Sequence, residues 1–270
     1  MNTPSTVPRT AELHAPSTWG TVDFISDLHL QADQGATFAV WQRYLENTPA
    51  DAVFMLGDLF EAWVGDDCVS DDMVRAPETG AFEDRCARVM GQTASRLALF
   101  FMHGNRDFLV GERLMNRCNT TLLADPTVLS FNRQRWLLSH GDALCLADVD
   151  YMAFRQQVRS AAWQSDFLAK PLAERQAFAR GLRQQSQAQH DKRQQSGLAY
   201  ADVDSAAAVA QLQAADAPVL IHGHTHQPAE HDLGHGFSRV VLSDWDASAA
   251  VPRAEALRLT ASGLCRISLV

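Results

Sequence analysis

Residues 101–111 read FMHGNRDFLVG. The large apolar residues of 97–102 end abruptly at His103 and Gly104. An amide, a cation and a carboxylate then follow in a row at Asn105, Arg106 and Asp107. The apolar run has strand length and no polar face, which suits a central strand of a layered sheet.

Four other stretches repeat this arrangement. Residues 22–26 precede Asp27-Leu28-His29, and residues 52–56 precede Gly57-Asp58. Residues 136–139 precede His140-Gly141-Asp142, and residues 218–221 precede His222-Gly223-His224-Thr225-His226. Helical stretches are expected between some of them, at 36–46 and 82–96, so the pattern predicts α/β layering. Folds of this kind place ligands at the carboxyl ends of their strands. Residues 237–242 and 256–269 are expected to close the fold as antiparallel strands.

The totals fit this picture. Apolar residues make up 46 % and charged residues 20 % of the chain, as in ordinary soluble domains. Its 270 residues allow one large domain, or one domain carrying an insertion. The formal net charge of −9 argues against a nucleic-acid partner, which calls for a basic footprint. Cys68, Cys86, Cys118, Cys145 and Cys265 are scattered without a CxxC pair, which fits a reducing compartment. No apolar run approaches the ~20 residues that span a bilayer. Residues 1–20, rich in Pro, Ser and Thr, are expected to be a flexible extension, and 21–270 the folded domain.

Residues 150–198 carry no strand signal. Between 153 and 195 lie eight cations (Arg155, Arg159, Lys170, Arg175, Arg180, Arg183, Lys192, Arg193) against three acids (Asp166, Glu174, Asp191). Trp163, Phe167, Leu168, Leu172 and Phe178 are interspersed. Two readings stand: a helical insertion capping the site, or a helix pair packed on the core with a solvated basic face.

The strand-end residues Asp27, His29, Asp58, Asn105, His140, His224 and His226 combine carboxylate, amide and imidazole donors without thiolate. Such a mixture favours Mn²⁺, Fe²⁺ or Zn²⁺. Seven donors exceed one tetrahedral site and suit two neighbouring ions with one bridging carboxylate. Such a pair clamps a phosphoryl group and acidifies a water that can attack phosphorus in line. Each motif alone is weak; the ordered series, each member behind an apolar run, is strong.

That series resembles the calcineurin-like metallophosphoesterases, a four-layer α/β/β/α sandwich with a dinuclear site, over residues 22–270. The resemblance implies that Asp27, His29, Asp58 and His226 hold one ion. Asp58, Asn105, His140 and His224 would hold the other. Asp58, Asn105, Arg106 and His140 are then the catalytic set. The flanking sequences GDLFEAWVGDD (57–67), HGNRDFLVG (103–111), HGDALCLADVDY (140–151) and IHGHTHQP (221–228) look like the lipid A branch of that family.

That likeness implies hydrolysis of the pyrophosphate of UDP-2,3-diacylglucosamine, with water attacking the α-phosphorus. The products would be UMP and 2,3-diacylglucosamine 1-phosphate. It implies Mn²⁺ as the ion, a helical lid at about 150–198, and a monomer placed peripherally on the cytoplasmic face of the inner membrane. It implies substrate contacts from Asn105, Arg106, Asp148, Ser186 and His224. The family's Asn and Lys beyond the serine are replaced here by His190 and Arg193, with Lys192 adjacent, and these are the expected contacts.

Two competitors remain: a phosphodiesterase acting on a soluble nucleotide, and a non-catalytic scaffold without metals. The aromatic and basic insertion argues against the first, and the intact donor set against the second. Among neighbouring residues, Asp107 is expected to steady Arg106 or its loop. Asp66 and Asp67 are read as loop-forming, His103 and His222 as structural or supporting, and Cys145 as core. His14, His231 and His235 are expected at the surface.

Overall fold

In the computed structural model, residues 10–70, 81–196 and 201–270 are described, with 185–196 as backbone only. The apolar runs form β2 (Thr21–Ile25), β3 (Ala52–Leu56) and β4 (Ala98–Met102), aligned in parallel with Phe24, Phe54 and Phe100 in register. Two helices cross between them, α1 (Gly35–Asn47) and α2 (Phe82–Ala94). The short helix α3 (Glu112–Arg117) leads to β5 (Thr121–Leu123), parallel to β4.

A second sheet is built around β7 (Gln134–Ser139) and β8 (Val219–His222), again parallel. It also contains β6 (Thr127–Phe131), β9 (Glu230–Gly234) and β10 (Phe237–Val241). Its outer edge is β1 (Ala11–His14), parallel to β6. Residues 11–14 are therefore an edge strand, which corrects the flexible extension expected there. The segment offers only Leu13 as a partly buried apolar contact, too little to read as a strand.

The tail divides between the sheets. The antiparallel pair β11 (Glu255–Thr260) and β12 (Gly263–Ser268) closes the first sheet against β2, as expected. The other tail strand, β10, runs parallel to β8 and antiparallel to β9. The expectation of a purely antiparallel closure is corrected there.

Strand alternation explains the layering. Val22, Phe24, Ala52, Phe54, Leu56, Phe100 and Met102 point between the sheets, meeting Leu129, Leu138, Ile221 and Val240. Their neighbours Ile25, Val53, Met55, Leu99 and Phe101 face the other way, onto Trp41 and Leu45 of α1 and Met90 of α2. Beyond the second sheet, Val128, Leu137 and Leu220 pack on Ala208 and Leu212 of α7 (Ser205–Ala215). Three apolar interfaces thus hold four layers, α/β/β/α. The Phe54 and Phe100 rings stack at 4.5 Å, and each such buried side chain contributes about 1.5–3 kcal/mol.

One buried charge interrupts the helix-facing side. Asp23 accepts from Tyr44 Oη and Thr48 Oγ1, each at 2.9 Å, and from Arg258 Nε and Nη2, each at 2.8 Å. Its lone pairs are filled, as a buried carboxylate requires.

Between β7 and α7 lie three consecutive helices, α4 (Val149–Val158), α5 (Ala161–Leu168) and α6 (Leu172–Ser196). Asp148 caps α4 by accepting from Tyr151 N, and Ser160 caps α5 by accepting from Trp163 N. Trp163 and Phe167 stack at 4.7 Å, and Phe178 meets Phe167 edge-on at 5.3 Å.

Candidate functional site

The parallel registers bring the carboxyl ends of β2, β3 and β4 level in one sheet, and those of β7 and β8 level in the other. The loops leaving these five strands meet. Asp27, His29 and His226 offer ligand atoms within 4.8 Å of one another, and so do Asp27, Asp58 and His140. Asn105 joins them, its Oδ1 lying 3.0 Å from His140 Nε2 and 2.8 Å from His224 Nδ1. All seven strand-end residues named from sequence lie in this cluster.

The backbone is bent to achieve this. Asp27, His29, Asp58, His224 and His226 have φ of 57, 49, 51, 69 and 53°, the left-handed region that side chains disfavour. Such strain persists only where surrounding structure imposes it, and it concentrates at functional sites. Two glycines make room: a Cβ on Gly104 would collide with the Asp58 carboxylate, and one on Gly223 with that of Asp27.

The side chains are held from behind. Asp27 is fully buried and accepts from Ser26 Oγ at 2.5 Å and from His224 N at 2.9 Å. Asp58 Oδ1 accepts from Arg106 N at 2.8 Å. His140 Nδ1 donates to the Leu56 carbonyl at 2.9 Å, which turns Nε2 toward Asn105 and toward Asp58, 3.8 Å away. His226 Nε2 stands 3.3 Å from Asp27 Oδ1 and 3.3 Å from His29 Nε2.

Carboxylates and imidazoles in the cluster shift one another's protonation. Burial works to raise the Asp27 carboxyl, yet His226, His140 and His29 hold it well below the usual range. Burial also opposes charge on His140, but Asp58, Asp27 and Asp142 outweigh it and push that imidazole up to about 9. Burial, with His140 beside it, drops His224 to about 4 and keeps its ring neutral. The cluster thus pairs buried carboxylates that stay ionised with a neutral imidazole, and its carboxylates are balanced in part by protons on neighbouring histidines. Divalent cations could take the place of those protons, and oxygen and neutral imidazole donors suit them. The residues fit the group.

Asp107 accepts from Gly104 N and Leu59 N at 2.8 Å, and from Asp58 N and Phe60 N at 3.3 Å. It therefore ties the loop after β3 to the loop after β4. Of the two roles expected for it, the loop role is observed. The Arg106 guanidinium lies 3.8 Å from Glu61 Oε1.

Asp66 accepts from Trp63 Nε1 and from the backbone of Gly111 and Leu114, and Asp67 pairs with Arg175. His222 is buried, its Nε2 3.3 Å from Arg239. Burial, with that guanidinium, takes it down to about 4. Cys145 is core. Asp148 is placed as the α4 cap. Ser186, His190 and Arg193 fall on α6, and their side chains lie outside the described residues.

Several participants carried no assigned role in the sequence. Asp142 is wholly buried and accepts from Tyr151 Oη at 2.5 Å and from Arg155 Nε at 2.8 Å. The Tyr151 ring lies against that of His224 at 5.9 Å. Arg159 donates to the Gly104 carbonyl at 2.8 Å and sits over Phe108. Glu61 reaches His29, Arg106 and Arg183. The available signal was modest: Asp142 and Tyr151 sit in the HGDALCLADVDY stretch, and Glu61 is the only charge in the apolar LFEAWV.

The family model for calcineurin-like phosphoesterases matches residues 20–228. A UDP-2,3-diacylglucosamine hydrolase of Cellvibrio japonicus (strain Ueda107) is 42 % identical over 227 residues, covering 82 % of this chain and 90 % of that protein. The protein of the same name from Xanthomonas axonopodis pv. citri (strain 306) is 42 % identical over 243 residues, 86 % of this chain and 94 % of the relative. That of Chromobacterium violaceum reaches 44 % over 232 residues, 83 % and 90 % of the two chains. Because the match takes in all five strand-end motifs and nearly the whole length of each relative, the chain belongs to the calcineurin-like phosphoesterases.

Proposed function

We propose that this protein hydrolyses the pyrophosphate of UDP-2,3-diacylglucosamine. Water bonds to the α-phosphorus as the bond to the bridging oxygen breaks. UMP leaves on one side and 2,3-diacylglucosamine 1-phosphate on the other. The observation that carries this reading is the meeting of oxygen and imidazole donors at the facing strand ends. Relatives bearing that hydrolase name across more than four-fifths of the chain select the substrate.

Asp27, His29, Asp58 and His226 would hold one divalent ion, and Asp58, Asn105, His140 and His224 the other, with Mn²⁺ the ion proposed. Bound there, the ions supply charge to the pyrophosphate oxygens and acidity to a water. The chain's own groups do the rest. Asn105 offers a neutral oxygen and so adds no negative charge against the incoming pyrophosphate. Arg106, held beside Glu61, supplies a cation for a phosphate oxygen. The His140 Nδ1–H bond to Leu56 keeps Nε2 directed inward. Asp148, Ser186, His190 and Arg193 are proposed to contact the substrate, with residues 150–198 as the lid.

A monomer lying peripherally on the cytoplasmic face of the inner membrane fits this chemistry. No helix among the described residues is long and apolar enough to cross a membrane. Leu146, Val149, Leu168 and Phe178 are exposed at 46, 72, 42 and 42 % in and beside the three helices, a surface for acyl chains or bilayer.

The test is UMP release from the diacylated UDP-sugar and from its deacylated form, with Mn²⁺ present. Much faster release from the diacylated form is expected. Equal rates would move the reading to a soluble nucleotide substrate, and no release from either would sink it.

A further inference from the structure

Glu61 leaves the loop after β3, its backbone N–H bonded to the Leu30 carbonyl at 3.2 Å. Its carboxylate is only 14 % exposed and works in two directions. Oε2 lies 3.1 Å from His29 Nδ1, although the pair is not aligned as a hydrogen bond. Oε1 faces outward, 3.2 Å from Arg183 Nε of α6 and 3.8 Å from Arg106. Meanwhile the other ring nitrogen of His29 looks into the cluster, 3.3 Å from His226 Nε2 and 4.0 Å from Asp58 Oδ2.

An imidazole that offers Nε2 to a cation must carry its hydrogen on Nδ1. A carboxylate behind that hydrogen fixes the tautomer and strengthens the donor. Arg183, 49 % exposed, has a guanidinium that can stay on Glu61 or move to a phosphate.

We propose that Glu61 is a positioning residue that orients His29 for its ion and, through its second oxygen, latches α6 over the site by way of Arg183. The proposal rests on the hydrolase reading only for what the latch does to the substrate. The orientation of His29 stands without it.

The test compares the parent protein, Glu61→Gln, Arg183→Met and the double variant. Each is stripped of metal and titrated with Mn²⁺ by calorimetry, and its thermal midpoint is recorded before metal is added. Glu61→Gln is expected to weaken one class of Mn²⁺ site by about 10–100-fold, with the metal-free midpoint unchanged. Arg183→Met is expected to leave Mn²⁺ affinity within about twofold, since an exposed pair contributes little. In turnover, each single variant raises KM, and the double variant is no worse than Glu61→Gln, because one latch is lost once.

Parental Mn²⁺ affinity in Glu61→Gln overturns the positioning role, and additive KM effects overturn the latch. Should Glu61→Gln fold poorly, Glu61→Asp, which keeps the charge but shortens the reach, must show the same weakened Mn²⁺ site; parental affinity there also overturns the role. If the parent does not hydrolyse the diacylated substrate, the Mn²⁺ titration still decides the His29 link.

Discussion

The strand-end cluster and the three helices beside it are built on different physics. Asp27, Asp58 and His140 are at most 2 % exposed, and their positions follow from strands packed on both faces. Among the described side chains, residues 149–184 are fastened by a series of polar contacts: Tyr151 and Arg155 to Asp142, Arg159 to Gly104, Arg175 to Asp67 and Val64, and Arg183 to Glu61. Among the described residues, Phe167, Trp163, Leu172 and Ala179 tie them to the apolar core, and Trp163 meets Phe108 at 6.2 Å. The chemistry is thus fixed as rigidly as the core, while the three helices beside it depend more on polar contacts. Polar latches of this kind are where local opening starts.

Breaking the cluster should have the largest effect. Asp58→Ala removes the carboxylate proposed to bridge the two ions, whose oxygens lie 4.0 Å from His29 Nε2 and 3.8 Å from His140 Nε2. Losing several kcal/mol of charge stabilisation corresponds to a fall in kcat on the order of 10³-fold or more. Metal analysis should show fewer than two ions per chain, and near-normal turnover would refute the two-ion site. Arg106→Ala should keep both ions yet lower kcat/KM by about 10–100-fold, the loss of one charge-assisted contact. Loss of both ions in that variant would place Arg106 in the metal site instead.

The same contrast explains what was legible in the sequence. A strand buried on both faces must be apolar throughout, so the polar residue that ends it stands out. That is why Asp58, Asn105 and His140 could be read directly, and why β3 at Ala52–Leu56 was located to the residue. Edge strands carry no such mark. In Ala11–His14 three of the four residues are exposed, and pairing with β6 decides the structure. The latches were hidden for another reason: Asp142 and Arg155, or Glu61 and Arg183, are ordinary charges until the fold brings them together. Asp107 shows the limit within one motif. Its neighbour Arg106 suggested a local salt bridge, but the backbone of the loop after β3, 47 to 49 residues away in sequence, takes its oxygens.

Asp142→Asn loosens the second region at its base while preserving shape. The neutral amide no longer matches Tyr151 and Arg155 together. Leaving such groups imperfectly paired costs about 1–3 kcal/mol. A lowered thermal midpoint and faster proteolytic cutting within 149–196 are expected, with KM raised more than kcat is lowered. Unchanged cutting would mean that α4 is held by packing rather than by this carboxylate.

The smallest effect should come from the outermost part of the helices. Phe178 is 42 % exposed, yet its ring meets Phe167 edge-on and lies 6.2 Å from Trp163. Phe178→Ser removes a surface apolar side chain, so stability should change by only about 0.5–1 kcal/mol, including the lost ring contact. If this face meets acyl chains, the variant should lose several-fold in kcat/KM on the diacylated substrate and nothing on the deacylated one. Equal loss on both would place Phe178 among the residues that merely hold α5 and α6 together. No loss on either would detach the exposed apolar face from catalysis, leaving substrate preference to be set at the charged latches.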